Sequence, residues 1–183
     1  VLLKSQLWEF KSILFQQLNK IGRARSEEQV ELLKNNIEGK LASIEIPPNK
    51  IGSTYLFNHI LGAYYFAIHK EKKSLKCVLE NIELIENNPS EFIDEPNILI
   101  STLTNSVYLA IKNSEISKAQ ELYRKLKVLY KKHEEEGSKD LVLKIKSSLL
   151  SLELLLVTST CNFKKFENLY FDARIMILPY GDG

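Results

Sequence analysis

The stretch Ser53-Thr54-Tyr55-Leu56-Phe57-Asn58-His59-Ile60-Leu61-Gly62-Ala63-Tyr64-Tyr65-Phe66-Ala67-Ile68-His69-Lys70 decides the fold. Its apolar residues wrap most of a helical circumference, so the spacing predicts a central helix, with Ser53 as its N-cap. Gly62, Ala63 and Ala67 are small and let a second helix come close. Asn58, Gly62, Tyr65 and His69 fall at i, i+4, i+7 and i+11, which is one polar stripe. The pattern echoes 43 residues later as Ser101, Asn105, Tyr108 and Lys112. A weaker third copy follows at the same spacing as Lys144, Ser148, Ser151 and Leu155. Apolar neighbours echo too: Leu56 with Leu99 and Val142, Phe66 with Leu109 and Leu152. Self-similarity at this period predicts stacked helical hairpins, an all-α solenoid.

Working outward, four hairpins emerge, at about 2–44, 53–88, 97–136 and 138–177. The first opens with Leu3, Leu7, Phe10, Leu14 and Leu18 at 3,4 spacing and breaks at Gly22-Arg23. Ser26-Glu27-Glu28-Gln29 has the form of a capping box and starts a helix whose inner face is Val30, Leu33, Ile37 and Leu41. Ile46-Pro47-Pro48 is the sharpest break, because proline drives the residue before it out of the α region. The central helix pairs with one carrying Leu75, Val78, Leu79, Ile82 and Ile85, which stops at Asn88-Pro89. The third hairpin has Ala119, Leu122, Leu126, Leu129 and Tyr130 inward on its second helix and ends at Gly137. Leu56, Ile60, Ala63, Phe66, Leu103, Leu109, Leu122 and Leu126 are the expected core. No strand is expected.

Leu61-Gly62-Ala63-Tyr64-Tyr65 resembles the first helix of a tetratricopeptide repeat, which carries Leu-Gly-x-x-Tyr. Ala119 and Tyr123 resemble the small-then-aromatic pair of its second helix. The likeness touches hairpins two to four, about two-thirds of the chain, although the period is longer than the family's. It implies a right-handed array of antiparallel hairpins. It also implies peptide or protein binding on the face lined by the first helices.

Composition narrows the function classes. The chain has 183 residues and a formal net charge of +2, too small to argue for nucleic acid or an anionic membrane. Cys77 and Cys161 form no CxxC and read as reduced core thiols of a cytoplasmic protein. His59, His69 and His133 make no zinc spacing, and His133, before Glu134-Glu135-Glu136, reads as part of a solvated charged turn. No GxSxG and no glycine-rich phosphate loop is present, and neither a metal nor a cofactor is expected. The basic run from Arg124 to Lys132 alternates with Leu126, Val128 and Leu129, as on the wet face of an amphipathic helix. Both ends are apolar: Leu3, Leu7 and Phe10 at one, Phe171, Ile175 and Ile177 at the other. The expectation is an excerpt of a longer chain, with those ends covered by further chain, by a second copy in a homo-oligomer or by another protein.

The one constellation suited to recognition is the pair of tyrosine-bearing stripes. Tyr65 and Tyr108 offer flat amphipathic surfaces, and Asn58, Ser101 and Asn105 can bond a peptide backbone. His69 and Lys112 would supply a partly cationic end. The expected function is therefore a protein- or peptide-binding repeat module within a larger protein. The plainer reading of the stripes is a solvent-facing side kept by repeat ancestry. A second function class is a sensor or oligomerisation domain of a bacterial-type regulator whose output module lies elsewhere, and a small enzyme is a distant third.

Overall fold

The computed structural model describes residues 2–47 and 49–177, without the side chains of Leu2, Ile21 and residues 172–177. The described chain is all-helical: α1 Leu2–Ile21, α2 Glu27–Ala42, α3 Ile51–Ala67, α4 Glu71–Asn87, α5 Pro96–Lys112, α6 Ile116–Glu135, α7 Lys139–Ser159 and α8 Phe163–Ile177. A short 3-10 turn, Pro89–Phe92, precedes α5. The expected breaks fall where the sequence places them. Pro47 lies in non-helical chain after α2; Pro48, the side chains of Ile175 and Ile177, and residues 178–183 lie outside the described residues. Two compact units divide the chain near Pro96.

In the first unit, α1 and α2 both pack on α3, and α3 packs on α4. One apolar cluster joins α1, α2 and α3 through Leu7, Leu14, Leu33, Ile37, Ile60 and Tyr64, each nearly or wholly buried. The Ser26 hydroxyl accepts the Gln29 amide at 3.3 Å, while the Gln29 side-chain oxygen accepts the Arg25 amide at 2.7 Å. The reciprocal cap therefore reaches one residue further back than the usual box. At the α3–α4 contact, a Cβ on Gly62 would stand 3.4 Å from the Cys77 Cβ, and the Ser74 hydroxyl donates to the Gly62 carbonyl at 2.8 Å. Small residues here set how closely the helices approach.

In the second unit, α6 packs on α7 and α7 on α8. Ile100, Leu103, Val107, Ala119, Leu122, Leu126 and Ile145 are buried. One acidic hub crosses three helices. The Tyr123 hydroxyl donates to Glu153 Oε2 at 2.7 Å, and Lys165 Nζ donates to Glu153 Oε1 at 2.9 Å. Lys144 Nζ donates to Asn97 Oδ1 at 2.8 Å and links α7 to the start of α5.

Three helices end in the same way. His69, Ser114 and Cys161 follow α3, α5 and α7 with φ of 58°, 60° and 54°. The amide after each reaches back five residues: Lys70 to Tyr65, Glu115 to Ala110 and Asn162 to Val157. This Schellman closure normally selects glycine at the left-handed position, and none of the three is glycine.

Several expectations need correcting. Ser53 is buried within α3 rather than capping it; the helix starts at Ile51 with the Thr54 amide on the Lys50 carbonyl. Phe66 and Ala63 are only half-buried, and Tyr64 is the aromatic residue sealed in the core at 0% exposure. Cys77 is buried but Cys161 is exposed. His133 is buried, with Nδ1 3.0 Å from Glu136 Oε2, near enough to pair but not aligned for a hydrogen bond. Leu7 and Phe10 are covered within their own unit, whereas Phe171 is exposed.

Candidate functional site

The helix faces keep the 43-residue spacing of the echo even though the turns do not. Ile60, Tyr64 and Ala67 on α3 are deeply buried, as are their echoes Leu103, Val107 and Ala110 on α5. The left-handed residues His69 and Ser114 are instead 45 positions apart. Helix α5 thus runs two residues further past its matching face before turning. The third copy has drifted: α7 buries Ile145, Leu152, Leu156 and Val157, of which Leu152 alone falls on the echo.

Tyr65 and Tyr108 each flank their own helix's buried stripe, and each is half-buried. Lys73 Nζ lies 5.3 Å from the centre of the Tyr65 ring. Burial, then the nearby Cys77 and Glu38, holds the Tyr65 phenol above its usual range. Lys112 Nζ lies 5.6 Å from the centre of the Tyr108 ring, one turn along α5. Asn58 and Ser101 are half-buried, and Asn105, Lys112 and His69 are exposed.

His69 is also a part of the scaffold. Its Nε2 meets the Ala24 carbonyl at 2.5 Å. The Ala24 amide donates to the Ala67 carbonyl at 3.0 Å, and Arg23 Nε donates to the Phe66 carbonyl at 3.1 Å. The Arg23 guanidinium lies 4.1 Å from the Phe66 ring centre and pairs with Glu71. The hydrogen bond from Arg23, stronger than the opposing effect of burial, holds the Glu71 carboxyl below its usual range. These contacts bolt the α1–α2 turn to the α3–α4 turn. Beside them an open groove of about 500 Å³ is lined by Ala24, Arg25, Val30, Glu31, Lys34 and His69, a mixture of both charges.

A second constellation in the first unit was not foreseen. Trp8, Lys11 and Phe15 stand on one edge of α1, at i, i+3 and i+7. Lys11 Nζ lies 4.6 Å from the Trp8 ring centre and 5.6 Å from that of Phe15. Phe15 stacks on His59 of α3 at 5.7 Å and 10°, and His59 stacks on Tyr55 at 6.1 Å and 13°. Tyr55 meets Phe92 edge-on at 5.6 Å. Trp8 is 51% exposed, while Lys11, Phe15, His59 and Tyr55 are half-buried. Burial, reinforced by the Lys11 charge, lowers the His59 pKa to about 4, so its ring is neutral near pH 7. Burial also lowers the Lys11 pKa. No carboxylate pairs with Lys11 among the described residues. The 3,4 spacing of Trp8, Lys11 and Phe15 was visible in the sequence; their stacking on residues of α3 was not.

Against family models, curated proteins and solved structures this chain finds no match, so the meaning of these surfaces rests on its own residues.

Proposed function

We propose that this chain is a protein-binding helical-repeat module, tetratricopeptide-like in architecture, that works within a larger cytoplasmic protein. One observation carries the reading. Helices α3 and α5 repeat one design, a sealed apolar stripe at 43-residue spacing with a half-buried tyrosine beside it. A half-buried aromatic ring with a lysine over it is a rigid amphipathic anchor of the kind interfaces use. The partner is a protein or peptide segment. Each unit would present its own set: Asn58 and Tyr65 on α3 with His69 just after it in the first, and Ser101, Asn105, Tyr108 and Lys112 on α5 in the second.

The test places a photo-crosslinking amino acid at position 65, 108 or, as control, 128, where Val128 is exposed on α6. Crosslinks at 65 or 108 to a defined segment support the reading. Crosslinks confined to 128, or none at any site, refute it. Tyr65→Ala and Tyr108→Ala should each weaken capture of that segment by about 2 kcal/mol, the usual loss for an aromatic anchor. Thermal melts of each variant separate this from lost stability.

The second reading is an oligomerisation or sensor domain of a regulator. It is favoured by Phe163, Tyr170 and Phe171 on α8, which are 71%, 51% and 61% exposed. Concentration-dependent sedimentation that Phe171→Glu abolishes would select it.

A further inference from the structure

We propose that the Trp8–Lys11–Phe15 edge of α1, extended by His59 and Tyr55 of α3, is a docking shelf for a protein segment that sets a carboxylate beside an aromatic residue. The proposal rests on the protein-binding reading above and names the chemistry of one partner.

Charge complementarity identifies the occupant. Lys11 is the only charged member of the shelf near pH 7, since the His59 ring is neutral there. The ammonium is half-buried against two rings, so part of its hydration is already gone and no anion among the described residues replaces it. A carboxylate brought to it gains a charge-assisted contact in a poorly hydrated setting, where such contacts are stronger than in open water. The Trp8 ring accounts for the aromatic requirement. It is half-exposed, while Phe15, His59 and Tyr55 beside it stack nearly parallel on one another. A flat side chain laid against Trp8 buries apolar area beside rings that are already packed together.

The chain supplies its own reporter, because Trp8 is its single tryptophan. A library of capped, randomised octapeptides is selected on the intact chain. Its winners are then titrated by Trp8 fluorescence beside versions with Glu→Gln and Asp→Asn, and beside octathymidylate. Selection should enrich Asp or Glu next to Phe, Tyr or Trp. The amide versions should bind about tenfold more weakly, as should the acidic peptides to Lys11→Met, and the difference should shrink in high salt. Circular dichroism checks the fold of Lys11→Met, and Lys11→Gln serves if the methionine variant does not fold.

Winners without acidic residues, equal binding by both Lys11 variants, or a stronger response to octathymidylate would each overturn the shelf. If binding survives at Lys11→Met but is lost in Tyr65→Ala or Tyr108→Ala, the shelf falls while the module reading stands. If no peptide is selected, the shelf falls and the crosslinking experiment decides the module reading.

Discussion

The two units tie their helices together at different places. In the first unit the tie is at the turns and ends on backbone carbonyls: the Ala24 amide on Ala67, and the Arg23 and His69 side chains on the carbonyls of Phe66 and Ala24. In the second unit it lies mid-helix and depends on one carboxylate, Glu153, shared by Tyr123 and Lys165. The Ala24–Ala67 bond survives most side-chain changes, because its donor and acceptor belong to every residue. A carboxylate hub is concentrated in a single side chain. The comparison teaches that similar helices can be held by unlike chemistry, and that the two units should fail under different insults.

The largest break should come at the hub. Glu153→Ala leaves the buried Tyr123 hydroxyl without its charged acceptor and should lower stability by about 2 kcal/mol in urea denaturation. Lys165 is half-exposed, so Lys165→Ala should cost no more than about 0.5 kcal/mol. Equal losses from the two variants would place the tie in the ion pair instead.

Acid should separate the units next. The folded pKa of His59 is lowered to about 4 from 6.5. The unfolded chain therefore takes up the proton first. This contribution is complete above pH 6.5 and is lost as pH falls towards 4. Between pH 7 and pH 5 the loss should be about 2 kcal/mol, and His59→Phe should remove it. Burial alone would raise the Glu153 pKa, but hydrogen bonds from Lys165 and Tyr123, with the Lys127 charge, outweigh it and hold it down. That stability is lost only below the ordinary carboxylate range. Hydrogen exchange at pH 5 should then show faster opening in the first unit alone.

Smaller effects test the turns. Arg23→Ala removes one charge-assisted hydrogen bond, a stacked guanidinium and the pair with Glu71, all partly exposed, and should cost about 1 kcal/mol. At the left-handed positions the units should differ in the size of the effect. Ser114→Gly relieves a strained backbone and should stabilise by about 0.5–1 kcal/mol. His69→Gly relieves the same strain but gives up the bond to Ala24, so its net effect in thermal melts should be near zero.

Much of this fold was legible in the sequence because helix ends are written locally. Gly22, Pro47, Asn88-Pro89 and Gly137 stop helices by backbone rules that need no tertiary context. The echo located the matching faces of α3 and α5 because buried stripes repeat even where turn lengths drift. What stayed hidden was the choice among neighbours. Helix α3 is apolar nearly all round, so periodicity could not tell the sealed Tyr64 from the half-buried Phe66. The burial of His133 among charged residues, like the stacking of Phe15 on His59, depends on tertiary packing that spacing along one helix does not show. As for the candidate site, the stripes were visible as patterns, whereas the Lys11 shelf needs two helices brought together before it exists.

The close approach at Gly62 has a consequence for timing. The Cys77 side chain is packed against that glycine, and burial raises its thiol pKa to about 11, while Cys161 stands exposed at a turn. A thiol reagent should therefore label the chain in two phases. The first marks Cys161 at once. The second proceeds only as fast as α3 and α4 part, so its rate is a clock for the opening of that helix pair, read without adding a probe.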